Sequence, residues 1–135
     1  MTLGRAGLEA LNILGHASHL FVILFSVLGW MWCETRIANL VLLLAVLFSW
    51  YALGPLLGKK GEYGYCVITD LQWQLRRRIG LEAPPWGYMK YLADRLSGRT
   101  GDQGLDPDLI ERATAAAFFA SLLASVTTTI FFGAC

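Results

Sequence analysis

The stretch 37-IANLVLLLAVLFSWYALGPLL-57 contains no charged residue and decides the class of this protein. Two further charge-free runs, residues 10–33 and 113–135, lie on either side of it in the chain. An α-helix rises about 1.5 Å per residue, so each run is long enough to cross about 30 Å of hydrocarbon. The chain of 135 residues is only 16% charged, whereas a soluble domain is about 25% charged. We therefore predict an all-α integral membrane protein.

Three transmembrane helices are predicted, at residues 9–32, 37–57 and 109–132, within a single membrane domain that covers residues 1–135. The first run has an apolar core too long for a secretory signal peptide. Trp30-Met31-Trp32 also stands where a small-residue cleavage site would be expected. We therefore expect the first helix to stay attached.

The distribution of Lys and Arg predicts the orientation in the membrane. Arg5 precedes the first helix and Arg36 lies between the first two helices. Eight of the other nine basic residues fall in the subregion 58–108, and the ninth, Arg112, lies just beyond it; the eight are Lys59, Lys60, Arg76, Arg77, Arg78, Lys90, Arg95 and Arg99. Because basic loops stay on the cytoplasmic side, we predict a cytoplasmic N-terminus, a cytoplasmic segment 58–108 and a periplasmic C-terminus in a bacterial inner membrane.

An amphipathic helix is predicted inside the cytoplasmic segment. Thr69-x-x-Gln72 is a capping-box pattern, and Gly80 is a natural end for the helix. The apolar residues at three- and four-residue spacing are Ile68, Leu71, Leu75 and Ile79. Residues 86–96 are predicted to form a second interfacial helix after Pro84-Pro85, and Asp106-Pro107 has the pattern of an N-cap followed by Pro at the first helical position.

Arg76, Arg77, Arg78 and the nearby Trp73 form a basic and aromatic cluster on the amphipathic helix. Two interpretations stay open: a topology anchor that contacts lipid phosphates, or a docking face for an acidic partner protein. Nucleic-acid binding is not predicted, since the whole chain carries a net charge of only +1 and the basic patch is short.

Small and polar residues recur every seven residues on the predicted transmembrane helices, as they do at the seam of a left-handed helix pair. These stripes are Asn12, His19, Ser26 and Cys33; Ala38, Ala45 and Ala52, with Asn39 and Ser49 on the same helix; and Thr114, Ser121 and Thr128, with Ser125 alongside. We expect them to face protein, either one another or a neighbour. The residues expected to face lipid are Leu20, Val27, Leu42, Leu43, Leu47, Phe118, Phe119 and Leu122.

His16 and His19 lie three residues apart on one face of the first helix. Three interpretations stay open: neutral histidines hydrogen-bonded within the bundle, axial ligands to a haem or (bacterio)chlorophyll, or a proton or ion path. For the porphyrin, Gly15 would leave room for the macrocycle. No cofactor is favoured, and no metal site is predicted, because Cys66 is expected to lie too far along the membrane normal to join the histidines.

The three cysteines are predicted to lie on two different sides of the membrane. Cys33 and Cys135 end two helices on the periplasmic side, so a disulfide between them is allowed. Cys66 is expected to serve in packing or as a reactive or ligating thiol. No arrangement of nucleophile, base and acid is visible in the sequence, so catalytic residues are not assigned and the protein is predicted not to be an enzyme.

The order of these motifs resembles a family of small bacterial three-helix membrane proteins of unknown function. The resemblance runs over residues 16–96. It begins with His19, Phe21-Val22, Phe25 and Gly29, and continues with Cys66-x-x-Thr69-x-Leu71-x-x-x-Leu75-Arg76. Val67 stands where the family pattern has Pro, and Gln72 where it has Glu. The resemblance implies a three-helix fold and supplies no activity.

The sequence therefore favours a non-catalytic accessory or structural subunit of a larger membrane protein complex, with membrane lipids and other membrane subunits as partners. The first alternative is a haem- or (bacterio)chlorophyll-binding membrane protein that uses His16 or His19. The second is a small homo-oligomeric protein resembling a transporter.

Overall fold

The computed structural model of the protein describes residues 4–57, 65–99 and 103–133, and these ranges contain helices and no strand. The α-helices are α1 (Arg5–Leu28), α2 (Arg36–Phe48), α3 (Gly54–Leu56), α4 (Val67–Arg78), α5 (Tyr88–Ser97) and α6 (Pro107–Phe132). A short 3₁₀ turn, Cys33–Thr35, precedes α2, and a π-helical turn, Ser49–Leu53, joins α2 to α3.

Three of the helical stretches are long and apolar enough to span a membrane: Arg5–Leu28, Cys33–Leu56 and Pro107–Phe132. Their mean hydropathies are 1.8, 2.1 and 1.8. The all-helical class and the three candidate spans predicted from the sequence are therefore confirmed. The first helix begins four residues earlier than predicted, at Arg5, whose side chain pairs with Glu9 one turn on at 3.0 Å.

The second span changes its helical geometry before it ends. Pro55 has no N–H to donate to the preceding turn, and its ring crowds the carbonyl four residues back. The π-helical turn Ser49–Leu53 lies directly before it and takes up this mismatch. The Ser49 hydroxyl donates to the carbonyl of Tyr65 at 3.0 Å, and so ties the end of the second span to the start of the α4 segment.

The hairpin of α1 and the second span depends on a close approach at Gly29. The amide of Asn39 donates to the carbonyls of Phe25 at 2.6 Å and Ser26 at 3.4 Å. A Cβ added at Gly29 would lie 2.6 Å from the Phe25 oxygen and 2.8 Å from Asn39 Nδ2. Only a residue without a side chain fits at this contact.

The polar stripes of α1 and α6 are buried against protein at their central residues, as predicted. His19 and Ser26 are buried on α1, and Ser121 and Ser125 are buried on α6. On the second span the prediction holds for Asn39, which is fully buried together with Leu43 four residues on, and it is wrong for Ala38 and Ala45, which are exposed.

For two residues the prediction of a lipid-facing position is wrong. Leu43 is fully buried and Phe118 is 6% exposed. Phe118 shares the face of Ser121 and Ser125 through three- and four-residue spacing, and its ring lies 4.7 Å from that of Trp50. Leu20, Val27 and Phe119 are exposed, as expected of lipid-facing positions.

Arg36 joins the α1–α2 turn to the C-terminal end of α6. Its guanidinium donates to the carbonyl of Gly133 at 2.9 Å and to that of Trp30 at 3.4 Å, and it lies over the ring of Phe132. A cation at this end complements the negative pole of the α6 dipole. Cys33, in the same turn, is disulfide-bonded. Cys135, its predicted partner, lies outside the described residues.

The two helices predicted between the second and third candidate spans are both present, as α4 and α5. α4 ends at Arg78, and Gly80 follows with a positive φ of 75°. The capping-box prediction is wrong: the N-cap is Cys66, and the Thr69 side chain bonds to α1 instead of to its own backbone. α6 begins as predicted, with the Asp106 carboxylate accepting from the Asp108 N–H at 3.0 Å.

Replacing Gly29 by alanine should destabilise the fold by about 1–3 kcal/mol, because the new methyl group would overlap the Phe25 carbonyl and the Asn39 amide. The matched control is Gly4→Ala, since nothing lies within 4 Å of a Cβ at Gly4. The free energy of unfolding in detergent micelles measures the difference. Equal values for the two variants would contradict the close contact.

Candidate functional site

His19 of α1 is 6% exposed, and three separate elements contact its imidazole. Its Nδ1 lies 2.9 Å from the carbonyl of Gly15, and its Nε2 lies 2.9 Å from Thr69 Oγ1 on α4. The ring of Tyr88 on α5 stacks on the imidazole, with centroids 3.8 Å apart and planes 10° apart. Because a carbonyl only accepts, Nδ1 carries the proton and Nε2 is the acceptor in the neutral ring.

Cys66 lies beside the same imidazole. Its Sγ is 4.0 Å from His19 Nε2, so the expectation that Cys66 lies too far away to join the histidines is wrong. The correction comes from the Ser49 bond to Tyr65, which brings the start of α4 back to the bundle. Burial by itself raises the pKa of Cys66, but hydrogen bonds with His19 and with the backbone and hydroxyl of Thr69 outweigh it and lower the pKa to about 7.

His16 forms a second set of contacts one turn away on α1. Its Nδ1 lies 3.1 Å from the Tyr88 hydroxyl, and its ring stacks on Tyr91 with centroids 5.6 Å apart. Arg76 donates to Nε2 at 3.4 Å, so Nδ1 is the nitrogen that donates to the Tyr88 oxygen. The two histidines therefore hold α4 and α5 against α1.

The space expected beside Gly15 for a macrocycle is occupied. A Cβ at Gly15 would lie 3.0 Å from the side chain of Gln72, which is 2% exposed and reaches the Asn12 carbonyl at 3.4 Å. With both ring nitrogens of His16 and His19 near protein groups, this geometry offers no support for a porphyrin. That interpretation stays a prediction.

Trp73 and Arg76, predicted to bind a partner or lipid, are used inside the protein. Trp73 is 6% exposed and its indole N–H donates to the carbonyl of Trp86 at 3.0 Å. The Arg76 guanidinium donates to the carbonyl of Glu82 at 2.7 Å and lies over the rings of Trp73 and Tyr91. Arg77 and Arg78 are exposed, so only these two members of the cluster remain available for an outside contact.

α5 carries a buried ion pair that fastens it to the chain before α6. Lys90 and Asp94 form this pair one helical turn apart, and Lys90 also lies over the ring of Trp86. The Asp94 carboxylate accepts from the Leu105 N–H at 2.8 Å. The hydrogen bond from Lys90, together with that from Leu105, holds the pKa of Asp94 below its ordinary value.

The residues around His16 and His19 form one group, the histidine cluster. It brings together residues to which the sequence analysis gave separate roles. His16 and His19 were recognised as candidates; Thr69, Gln72, Tyr88 and Tyr91 were not. The signal for Thr69 was its place in the Cys66-x-x-Thr69 motif. Within residues 4–57, 65–99 and 103–133, no three His, Cys, Asp or Glu side chains come together as a metal site. The chemistry that the cluster offers is a thiol beside a buried imidazole.

Fold and site together define an all-helical protein with three candidate membrane spans and a buried histidine cluster between the first span and an amphipathic helix. The profile of a family described as Protein of Unknown function (DUF2784) matches residues 10–131. The chain belongs to this family, which confirms the resemblance to an uncharacterised small family. No curated protein and no solved structure matches the chain.

Replacing Tyr88 by phenylalanine should cost about 0.5–1.5 kcal/mol of stability, because it removes the hydroxyl that contacts His16 and keeps the ring on His19. Tyr88→Leu should cost clearly more, since it also removes the stacked ring. The free energies of unfolding of the two variants measure both contributions. The same loss in both would show that stacking on His19 contributes nothing.

Proposed function

We propose that this chain is a non-catalytic integral membrane subunit that docks a partner subunit through the outer surface of α4. The segment that carries α4 and α5 lies on the cytoplasmic face of a bacterial inner membrane. The observation that carries the proposal is the inverted arrangement of α4, whose polar and aromatic side is buried and whose apolar side is exposed.

The side chains on the buried side of α4 make their hydrogen bonds within the same chain. Thr69, Gln72 and Trp73 are buried, and each bonds to a group outside α4. Arg76 shares this face, through the regular spacing of 69, 72, 73 and 76 along the helix. This side therefore fixes the position of α4 and is not available to a partner.

The exposed side of α4 combines apolar surface with positive charge. Leu71 is 60% exposed and Ile68 is 36% exposed. A groove of about 440 Å³ runs between α1 and α4, and its lining residues are Leu11, Leu14, Gly15, Ser18, Ile68, Leu71, Gln72, Gln74, Leu75 and Arg78. In water an exposed apolar face of this kind would promote aggregation, whereas at a membrane surface it can pack against a neighbouring apolar helix.

Arg77 and Arg78 determine the chemistry of the partner. Both are exposed at the end of α4, and Arg78 also lines the groove. The partner that complements this surface has an apolar helix followed by acidic residues on the cytoplasmic side. Anionic lipid headgroups offer the same negative charge, so the experiment has to separate a protein from a lipid.

Replacing Arg77 and Arg78 together by glutamine should weaken partner association by about 2 kcal/mol, or roughly thirtyfold, at low salt, at about 1 kcal/mol for each basic residue near an anionic surface. The difference should shrink at high salt, since exposed charges are screened. Native mass spectrometry of the mildly solubilised membrane protein measures the bound fraction.

The matched control is the replacement of Arg95 and Arg99 by glutamine, which removes the same charge from exposed positions at the end of α5. A foreign subunit that is lost only from the Arg77 and Arg78 variant supports the proposal. Adducts of lipid mass alone, or equal loss in both variants, would contradict it.

A membrane-impermeant maleimide tests the proposed orientation. After reduction, Cys135 should be labelled from outside intact cells, and Cys66 should be labelled only after the membrane is permeabilised, because it lies on the cytoplasmic side of the proposed topology. A Cys66→Ser variant identifies which thiol reacts. Labelling of Cys66 in intact cells would reverse the orientation.

A further inference from the structure

Cys66 lies where two features of the structure favour a thiolate, the N-terminus of α4 and the imidazole of His19. It is the N-cap of α4, and its carbonyl accepts from the Asp70 N–H at 3.0 Å, so the positive end of that helix is at the cysteine. His19 Nε2 lies 4.0 Å from the sulfur, and it comes from a different helix. Cys66 is a free cysteine and is half-buried.

The imidazole beside Cys66 is held in the orientation that a base needs. The Gly15 carbonyl accepts from Nδ1, which leaves Nε2 as the acceptor nitrogen; Thr69 Oγ1 lies 2.9 Å from it and Cys66 Sγ lies 4.0 Å from it. The stacked ring of Tyr88 fixes the imidazole plane. A nucleophile, a base and a third group that orients the base are the components of an activated nucleophile.

The surroundings of Cys66 point to an apolar electrophile. The second candidate span ends at Leu56, and α4, an amphipathic helix, begins at the residue after Cys66. Ile68 lies two residues on and lines the apolar groove between α1 and α4. A cysteine next to a membrane span or on an amphipathic helix is a common acceptor of fatty acyl chains, since the attached chain partitions into lipid.

We propose that Cys66 is an S-acylation site that accepts a long-chain fatty acyl group from an acyl-CoA thioester. The Cys66 proton moves to His19 Nε2, and the thiolate attacks the carbonyl carbon of the thioester. A bond forms between Sγ and that carbon, and the bond from the carbon to the coenzyme A sulfur breaks. The departing coenzyme A thiolate takes the proton from His19, so no oxidant or reductant is needed.

The charged groups around Cys66 agree with this chemistry. From α1, His19 is the titratable group that faces the sulfur; from α5, Tyr88 lies behind His19, and burial raises the pKa of its phenol. On α4, Asp70 bonds to Tyr65 and Gln74. The pKa of Cys66 is about 7, so the thiolate fraction rises steeply between pH 6 and 8, about one unit on either side.

The proposal shares with the proposed function only the place of α4 at the membrane surface, and it does not depend on a partner. The test therefore uses the purified full chain in detergent with palmitoyl-CoA as the probe. Intact mass spectrometry measures the acyl adduct, hydroxylamine identifies it as a thioester, and Cys66→Ser locates it. The rate should show a midpoint near pH 7.

His19→Gln should slow acylation about tenfold at pH 7 and move the midpoint towards about 8.5, the value of an unperturbed thiol. Thr69→Val should act in the same direction with a smaller change, and it serves if the His19 variant does not fold. His16→Gln is the matched control on the same helix, because His16 contacts Tyr88 and not Cys66.

An acyl thioester on Cys66, with the midpoint displaced by His19→Gln and unmoved by His16→Gln, supports the proposal. No adduct on Cys66, a wild-type midpoint above pH 8, or equal effects of the two histidine variants overturns it. Because the purified chain contains no partner, a failed acylation leaves the docking test with Arg77 and Arg78 unaffected.

Discussion

The hydrogen bonds of His19 hold α4 and α5 in place against α1. An imidazole among apolar helices is costly unless both nitrogens have partners. Here Gly15 satisfies one nitrogen from the same helix, and Thr69 satisfies the other from α4. Because Thr69 comes from a distant part of the chain, satisfying His19 positions α4 on α1, and Tyr88 then positions α5 on both.

The close packing of α4 on α1 follows from the same contact. Gly15 provides the carbonyl for His19, and its missing side chain also leaves space for Gln72. One turn of α1 therefore both orients the imidazole of His19 and lets α4 pack closely against α1. The outward face of α4 is apolar for the complementary reason: its polar groups are already used on the inside.

The sequence predicted the helices better than their faces. The charge-free runs located all three candidate spans, and the Asp106-Pro107 pattern located the start of α6, since these signals depend on local chemistry. Thr69 was misassigned as a cap because the capping-box pattern is also local, whereas its true partner is a histidine 50 residues away. Leu43 and Phe118 were misassigned because a helix in a three-helix bundle packs against two neighbours, and its protected arc is wider than one seven-residue seam.

Only part of the candidate site could be predicted from the sequence, because local patterns do not record contacts between distant parts of the chain. His16 and His19 stand out as polar groups in an apolar run, a signal that any hydropathy pattern shows. The position of Cys66 beside them depends on where the start of α4 lies relative to α1. The Ser49 hydroxyl on the second candidate span contributes to that position through its bond to Tyr65, and no pattern within α4 records it.

The separation of His19 from its partner also has a consequence for how the protein is made. A ribosome adds about 5–20 residues per second, so the 50 residues between His19 and Thr69 represent several seconds of synthesis. During that interval the first helix is complete and its imidazole lacks the hydroxyl that satisfies it. The nascent chain therefore passes through a stage in which α1 holds an unsatisfied polar group, and the arrival of α4 ends it.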